Sequence, residues 1–342
     1  MKEAKILPHG AEGAWDDFVK KAPGGTFFHL SSWRRVLEEA FGHRTYYLFT
    51  EVDGSINGVL PLTQVKSLLF GNTLISNAFC VEGGILAENA QTAEVLRRGC
   101  VNLARKLNVD GVELRSANWD DPEWVRKEGL YVSFRRPITT DEDANLKAIP
   151  RKQRAMVRKG ISLGLTSEID FGVDRLHHVY AQSVHHLGTP VFPKKYFRML
   201  KSAFRDDCDI VTVVHNGEAV ASVLNFYFRD QVLPYYGGGT LAARQLAAND
   251  FMYWEVMRRA AERGYRIFDF GRSKTDTGAF HFKKNWGFEP QPLTYEFLPV
   301  ARQEIPDVNP LNPKYQMMIS MWRRLPLAAT KVLGPMIVRS IG

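Results

Sequence analysis

The run from Phe268 to Phe288 holds the densest set of side chains able to do chemistry. An apolar strand ends near Phe270, a loop of Gly, Ser, Thr and Asp follows, and a short aromatic helix then carries Lys283. Loops that leave the ends of sheet strands are where α/β proteins keep their sites. Asp269, Arg272, Ser273, His281 and Lys283 can converge there. Moving an acyl or aminoacyl group requires a base for the incoming amine, positive charge for the developing oxyanion, and a grip on the donor's phosphates. Lys283 and Arg272 suit the charge, and Asp269 suits orienting or accepting a proton. Ser273, Tyr236, Phe282 and Trp286 are the expected substrate contacts. The competing reading makes Asp269 and Arg272 a structural pair that ties strand to loop.

A second cluster supplies the grip. Pro150 suits the first turn of a helix, and Arg151, Arg154 and Arg158 then share one face. No acid lies between Ala144 and Ser167 to pair with them. Guanidinium forks of this kind hold phosphate or carboxylate through paired bonds; a solvated surface helix is the alternative. The loop Leu187 to Tyr196 reads either as a lip over a pocket or as a rigid loop docked on the core. His177, His178, His185 and His186 lie along one helix, and eight residues rise about 12 Å, too far for one ion. No metal is expected, and no Walker loop, Gly-rich dinucleotide loop or nucleophile elbow is present.

The elements that position these residues come in two copies. Asp53-Gly54 and Asn216-Gly217 each sit between β-branched runs and favour the tight turn of a β-hairpin. Each hairpin is followed by a Gly-Gly step (Gly83-Gly84, Gly238-Gly239), a helix-period stretch (Ala93 to Leu107, Asp250 to Arg263) and a closing strand (Gly111 to Ser116, Tyr265 to Ser273). Each copy opens with a helix, Trp33 to Phe41 capped by Ser31 or Ser32, and Val173 to Leu187. The pattern predicts an α/β protein with a mixed sheet, two tandem domains at 1–140 and 141–300, and a tail at 301–342. After Ser116 the first copy continues through Asn118 to Pro122 with no match to the Lys283 segment, so chemistry is expected in the second.

Composition sets the frame. The chain has 342 residues, 45% of them hydrophobic, and a net charge of +8. That excess suits phosphate, nucleotide, RNA or lipid headgroups, and no DNA partner is expected. Three distant cysteines read as reduced thiols, and neither a secretory signal nor a spanning helix is found, which predicts a cytoplasmic protein. Lys314 to Gly342 is apolar and basic together, and can contact the inner membrane peripherally.

The whole chain resembles the FemAB-like family, and specifically the branch that accompanies exosortase/PEP-CTERM systems. Ile149 to Gly160 looks like that family's Arg-rich interdomain helix, and Leu187 to Pro193 resembles the branch's own signature. Phe268 to Ser273, with Phe282-Lys283 and Trp286 to Phe288, looks like the closing motif. The resemblance implies tandem GNAT-like (acyl-CoA N-acyltransferase-type) domains and transfer of an acyl or aminoacyl group to an amine or hydroxyl, with Lys283 tied to catalysis. It implies acyl-CoA or aminoacyl-tRNA as donor substrate, no bound cofactor, and a small-molecule, cell-envelope or exopolysaccharide precursor as acceptor. Thr240 to Asn249 stands where such domains keep a pyrophosphate loop and lacks its glycines. A non-catalytic binding or assembly protein of an exopolysaccharide or exosortase system is the other reading.

Overall fold

The computed structural model describes residues 3–67, 71–115, 121–302 and 313–341. The chain divides into two compact units: 1–131 with 292–308 and 339–342, and 132–291 with 309–338. The first stretch of chain forms β1 (Lys5–Ile6), α1 (Glu12–Lys21), α2 (Ser32–Phe41), β2 (Arg44–Val52), β3 (Ser55–Ser67) and β4 (Gly71–Ser76). It continues with β5 (Leu86–Ala87), α3 (Ala90–Lys106), β6 (Gly111–Arg115) and β7 (Val125–Pro137). Next come α4 (Glu142–Ala148), α5 (Arg151–Ser162), β8 (Thr166–Ile169), α6 (Asp174–Leu187), α7 (Lys194–Phe204), β9 (Cys208–His215), β10 (Glu218–Phe228) and β11 (Gln231–Gly239). The remainder is α8 (Ala243–Leu246), α9 (Ala248–Glu262), β12 (Ile267–Asp269), β13 (Ser273–Lys274), α10 (Gly278–Asn285), β14 (Pro290–Pro299), α11 (Pro313–Arg324) and α12 (Leu327–Val338).

The duplication is present in the strand order. In the first unit β2 and β3 pair antiparallel, β4 adds antiparallel to β3, α3 crosses, and β6 returns parallel to β4. In the second, β9, β10 and β11 pair antiparallel, α9 crosses, and β12 returns parallel to β11. Both hairpin turns have the two positive φ angles that Gly, Asn and Asp tolerate: 50° and 79° at Asp53-Gly54, 50° and 82° at Asn216-Gly217. Each unit has its own core, built around Trp15, Trp33 and Tyr47 in the first and Trp254, Phe268 and Trp286 in the second.

Four details depart from the sequence reading. The Gly-Gly steps are not equivalent, because Gly238-Gly239 ends β11 whereas Gly83-Gly84 lies in the loop before β5. Ser31 does not cap α2; its hydroxyl and amide both donate to Asp16. The expected strand Tyr265 to Ser273 stops at Asp269, because Gly271 turns the chain into the left-handed region at φ 66°. The division falls at 131/132 rather than near 140, since β7 contributes residues to both units. Pro292 onward then returns to the first unit, where β14 hydrogen-bonds to β6. The tail helices belong to the second unit, with Ile319 seated at Gly188 and Gly334 against Val191. Ser116 and Asn118 to Asp120 lie outside the described residues.

Candidate functional site

In the second unit, β11 and β12 hydrogen-bond only at their starts, Gln231 to Ile267 and Val232 to Phe268. Beyond Val232, β11 stays with β10 as far as Gly239, while β12 continues to Asp269 alongside β7. The two parallel strands therefore part, and the loop leaving β12 occupies the place where they separate.

That loop is held in one shape by a buried carboxylate. Asp269 is 1% exposed; its Oδ2 accepts from Arg135 Nε at 2.6 Å and its Oδ1 from the Gly271 amide at 2.7 Å. The partner tying strand to loop is thus Arg135 of β7, not Arg272. The locked turn presents two successive carbonyls to one amine. Lys283 Nζ donates to Gly271 O at 3.1 Å and to Arg272 O at 3.0 Å. It also stands 5.7 Å from the centre of the Phe134 ring. α10 carries Lys283 there because Thr277 caps the helix and Phe280 and Trp286 bury its inner side.

Burial brings the Lys283 amine down from 10.5 to about 7, since a charged ammonium loses its hydration there. The Asp269 carboxylate opposes that shift and the Arg272 guanidinium adds to it. Ser273 Oγ is buried without a hydrogen-bond partner, as is Ser133 Oγ on β7, the strand that β13 joins. Buried hydroxyls in that condition are uncommon in folded proteins.

The other expected residues are distributed differently. Phe282 packs half-buried against Tyr253. Trp286 is fully buried, and its indole donates to Asp250 Oδ1 at 2.9 Å, so it supports α10 from within the core and does not line an opening. Tyr236 is on the face of β11 turned to α6. A Cβ on Gly238 would meet Ser183 of α6, and one on Gly239 would meet Ala243 and Asn249 on the α9 side, so even-numbered positions here face α6. Tyr236 shares that face, where its hydroxyl lies 2.9 Å from that of Tyr196 among Phe192, Tyr180 and Phe197. The loop from Leu187 is docked there too, with Val191 buried and Phe192 stacked on Tyr196.

Arg151, Arg154 and Arg158 lie on α5 as expected. Arg151 and Arg158 are exposed, and Arg154 Nη1 donates to Lys147 O. Pro150, at the start of α5, abuts Gly287 just past α10, while Gly160 rests on Phe251 of α9. None of the three hydrogen-bonds to Asp269, Arg272 or Lys283 among the described residues. The histidines of α6 are engaged singly, His177 with Phe192 O and His185 with Leu325 O. No cluster of metal-binding side chains occurs among the described residues.

Residues 146–284 match the acetyltransferase (GNAT) domain family. The fold is that of tandem GNAT domains. The crystal structure of FemX aligns over 93% of this chain and 100% of its own, with 16% identity and a TM-score of 0.67. A tandem GNAT protein from the clavulanic acid biosynthesis pathway, described without AcCoA, aligns over 89% of this chain and 99% of its own (14% identity, TM-score 0.56). A conserved protein of unknown function from Bacteroides thetaiotaomicron VPI-5482 aligns over 88% and 100% (10% identity, TM-score 0.57). No curated protein matches the chain in sequence.

Sequence reasoning missed Arg135 and Ser133. Arg135 lies 134 positions from Asp269. Its one local signal was a charged pair, Arg135-Arg136, directly after the strand-like run Tyr131 to Phe134. Arg136 also turns inward, its guanidinium 4.6 Å from the Phe288 ring.

Proposed function

We propose that the second unit transfers an acyl or aminoacyl group from an activated donor to an amine or hydroxyl of a small-molecule or cell-envelope precursor, with Lys283 as the base. The setting of Lys283 carries this reading. A neutral amine has two N–H groups and one lone pair. With both N–H groups held by the carbonyls of Gly271 and Arg272, the lone pair points away from the loop. A pKa brought to about 7 by burial keeps much of the amine neutral near neutral pH.

In the proposed step the acceptor nitrogen or oxygen attacks the donor's carbonyl carbon and gives its proton to Lys283 Nζ. The C–S or C–O bond to the donor then breaks, and the proton passes to the departing sulfur or oxygen. Arg272 supplies positive charge beside the developing oxyanion. Ser273 Oγ, buried without a partner, is a ready donor to the acyl oxygen. Arg151, Arg154 and Arg158 are the proposed grip on donor phosphates; acyl-CoA is the donor the GNAT fold favours, and aminoacyl-tRNA is the other. Asp250 in the first turn of α9, with its carboxylate held by Trp286, gives the loop before it less positive character than a Gly-rich phosphate cradle. The donor's phosphates are accordingly assigned to α5. Exopolysaccharide and exosortase-linked precursors are the acceptors proposed first, reached from the cytoplasmic side of the inner membrane.

The test is donor turnover. Purified protein is incubated with acetyl-CoA, a long-chain acyl-CoA or aminoacyl-tRNA, and with envelope-precursor acceptors. Lys283→Ala is expected to cut transfer by about 10²–10⁴-fold. Undiminished transfer by Lys283→Ala would remove the lysine from the mechanism. Full biological function with Lys283→Ala would favour the binding-protein reading.

A further inference from the structure

We infer that the consecutive helices α11 and α12 dock the protein on an anionic lipid surface, through Met317, Met318, Met321, Val332 and Leu333 with Arg324 and Lys331. One side of each helix is fixed to its own unit. Ile319 fills the space over Gly188, Arg323 Nη2 donates to Leu187 O at 3.2 Å, and Gly334 approaches the Val191 backbone so closely that an added Cβ would stand 2.8 Å from its nitrogen. Thr330 and Val338 are buried on the same side.

The other side is apolar and open to solvent. Met317, Met321 and Arg324 follow one another at helical spacing, and the two methionines are each 62% exposed. Val332 is 69% exposed. Among the described residues, half of the large apolar side chains that stand exposed lie between Met317 and Ile341. Flexible methionine side chains conform to an irregular surface.

Length and charge name the occupant. Each helix has 12 residues, about 18 Å of rise against about 30 Å of bilayer hydrocarbon, so neither helix crosses a bilayer and contact is confined to its surface. From Val308 to Gly342 the chain carries Lys314, Arg323, Arg324, Lys331 and Arg339 and no acid. Two copies of this face would set cation against cation, whereas an anionic headgroup layer complements it.

The test is vesicle sedimentation of the full chain with phosphatidylcholine alone and with phosphatidylcholine mixed with phosphatidylglycerol. Binding to the mixed vesicles only is expected. One basic side chain near such a surface is worth about fivefold in partition, so Arg324→Gln with Lys331→Gln should weaken binding about 25-fold. Met317→Ser with Met321→Ser should weaken it further, and circular dichroism confirms that both variants fold. Equal binding to the two vesicle types, or variants that bind like the unaltered chain, overturns the proposal. So does a dimer in solution that Met317→Ser with Met321→Ser dissociates, which would give the face to a second copy. Neither measurement involves Lys283 or transfer, so this inference and the transferase reading stand or fall separately.

Discussion

If Lys283 acts as a neutral base, its titration is measurable without any substrate. Its amine falls from 10.5 to about 7, which removes about 5 kcal/mol of the preference for the charged form that an ordinary lysine has at neutral pH. At pH 7 about half of Lys283 is then neutral, against about 1 in 3,000 of an ordinary lysine. Trace labelling with a small amine-acylating reagent across a pH series, read peptide by peptide by mass spectrometry, reports that fraction. Lys283 labelling should rise with a midpoint near 7, while the surface lysines rise together near their usual 10.4. Two substitutions fix the cause. Arg272→Ala removes a like charge and should raise the midpoint; Asp269→Asn removes an opposite charge and should lower it. A Lys283 that labels in step with the surface lysines would refute the burial argument, and the general-base role with it.

Other outcomes follow from the packing. Asp269→Asn leaves the Arg135 guanidinium without its carboxylate; because Arg135 keeps some solvent contact, the loss in a denaturation experiment should be about 2–3 kcal/mol, below the full cost of breaking a buried pair. Gly160→Ala gains about 1 kcal/mol of helix propensity, yet its Cβ would stand 2.8 Å from Phe251 Cβ. Overpacking costs about 1–3 kcal/mol, so the melting temperature should fall. His29 is buried as a neutral ring, its Nδ1 accepting from the Thr26 amide and its Nε2–H donating to Gly84 O. Burial lowers it to about 4. Between its ordinary pKa and that value the unfolded chain binds the extra proton, so stability is complete above about pH 6.5 and declines as pH falls, by about 3 kcal/mol at pH 4. His43, lowered to about 4 by burial and by Arg339 nearby, adds to the same decline. Urea midpoints that stay constant over that range would contradict both.

What could be read from the sequence was what is encoded locally. Asn216-Gly217 and Asp53-Gly54 announce their turns because few other pairs tolerate two successive positive φ angles. The apolar period of Leu176, Val179, Tyr180 and Val184 announces α6, and all four are buried. Lys283 could be singled out because a lysine among aromatics is conspicuous. What stayed hidden needs the folded chain. Asp269 could be seen as a candidate, but its partner Arg135 is supplied by a strand from the far side of the unit's sequence. Tyr236 is expected to touch substrate, and the side of β11 it stands on, next to Tyr196, cannot be phased from sequence until the register with β10 is known. Trp286 sits in a motif that reads as functional, and its job is to bury the inner face of α10 and hold Asp250.

The course of β14 has a consequence for how the protein is made. The first unit needs Tyr295 to Pro299 to cover the edge of β6 from Gly111 to Arg115. When β6 leaves the ribosome, those residues are still about 180 codons away, roughly 10–40 s of synthesis. For that time the nascent chain carries an open strand edge, the kind of surface that chaperones hold and aggregates recruit. Residues 132–291 of the second unit, by contrast, emerge in one continuous piece. The first unit therefore completes its sheet only after that whole piece has been made.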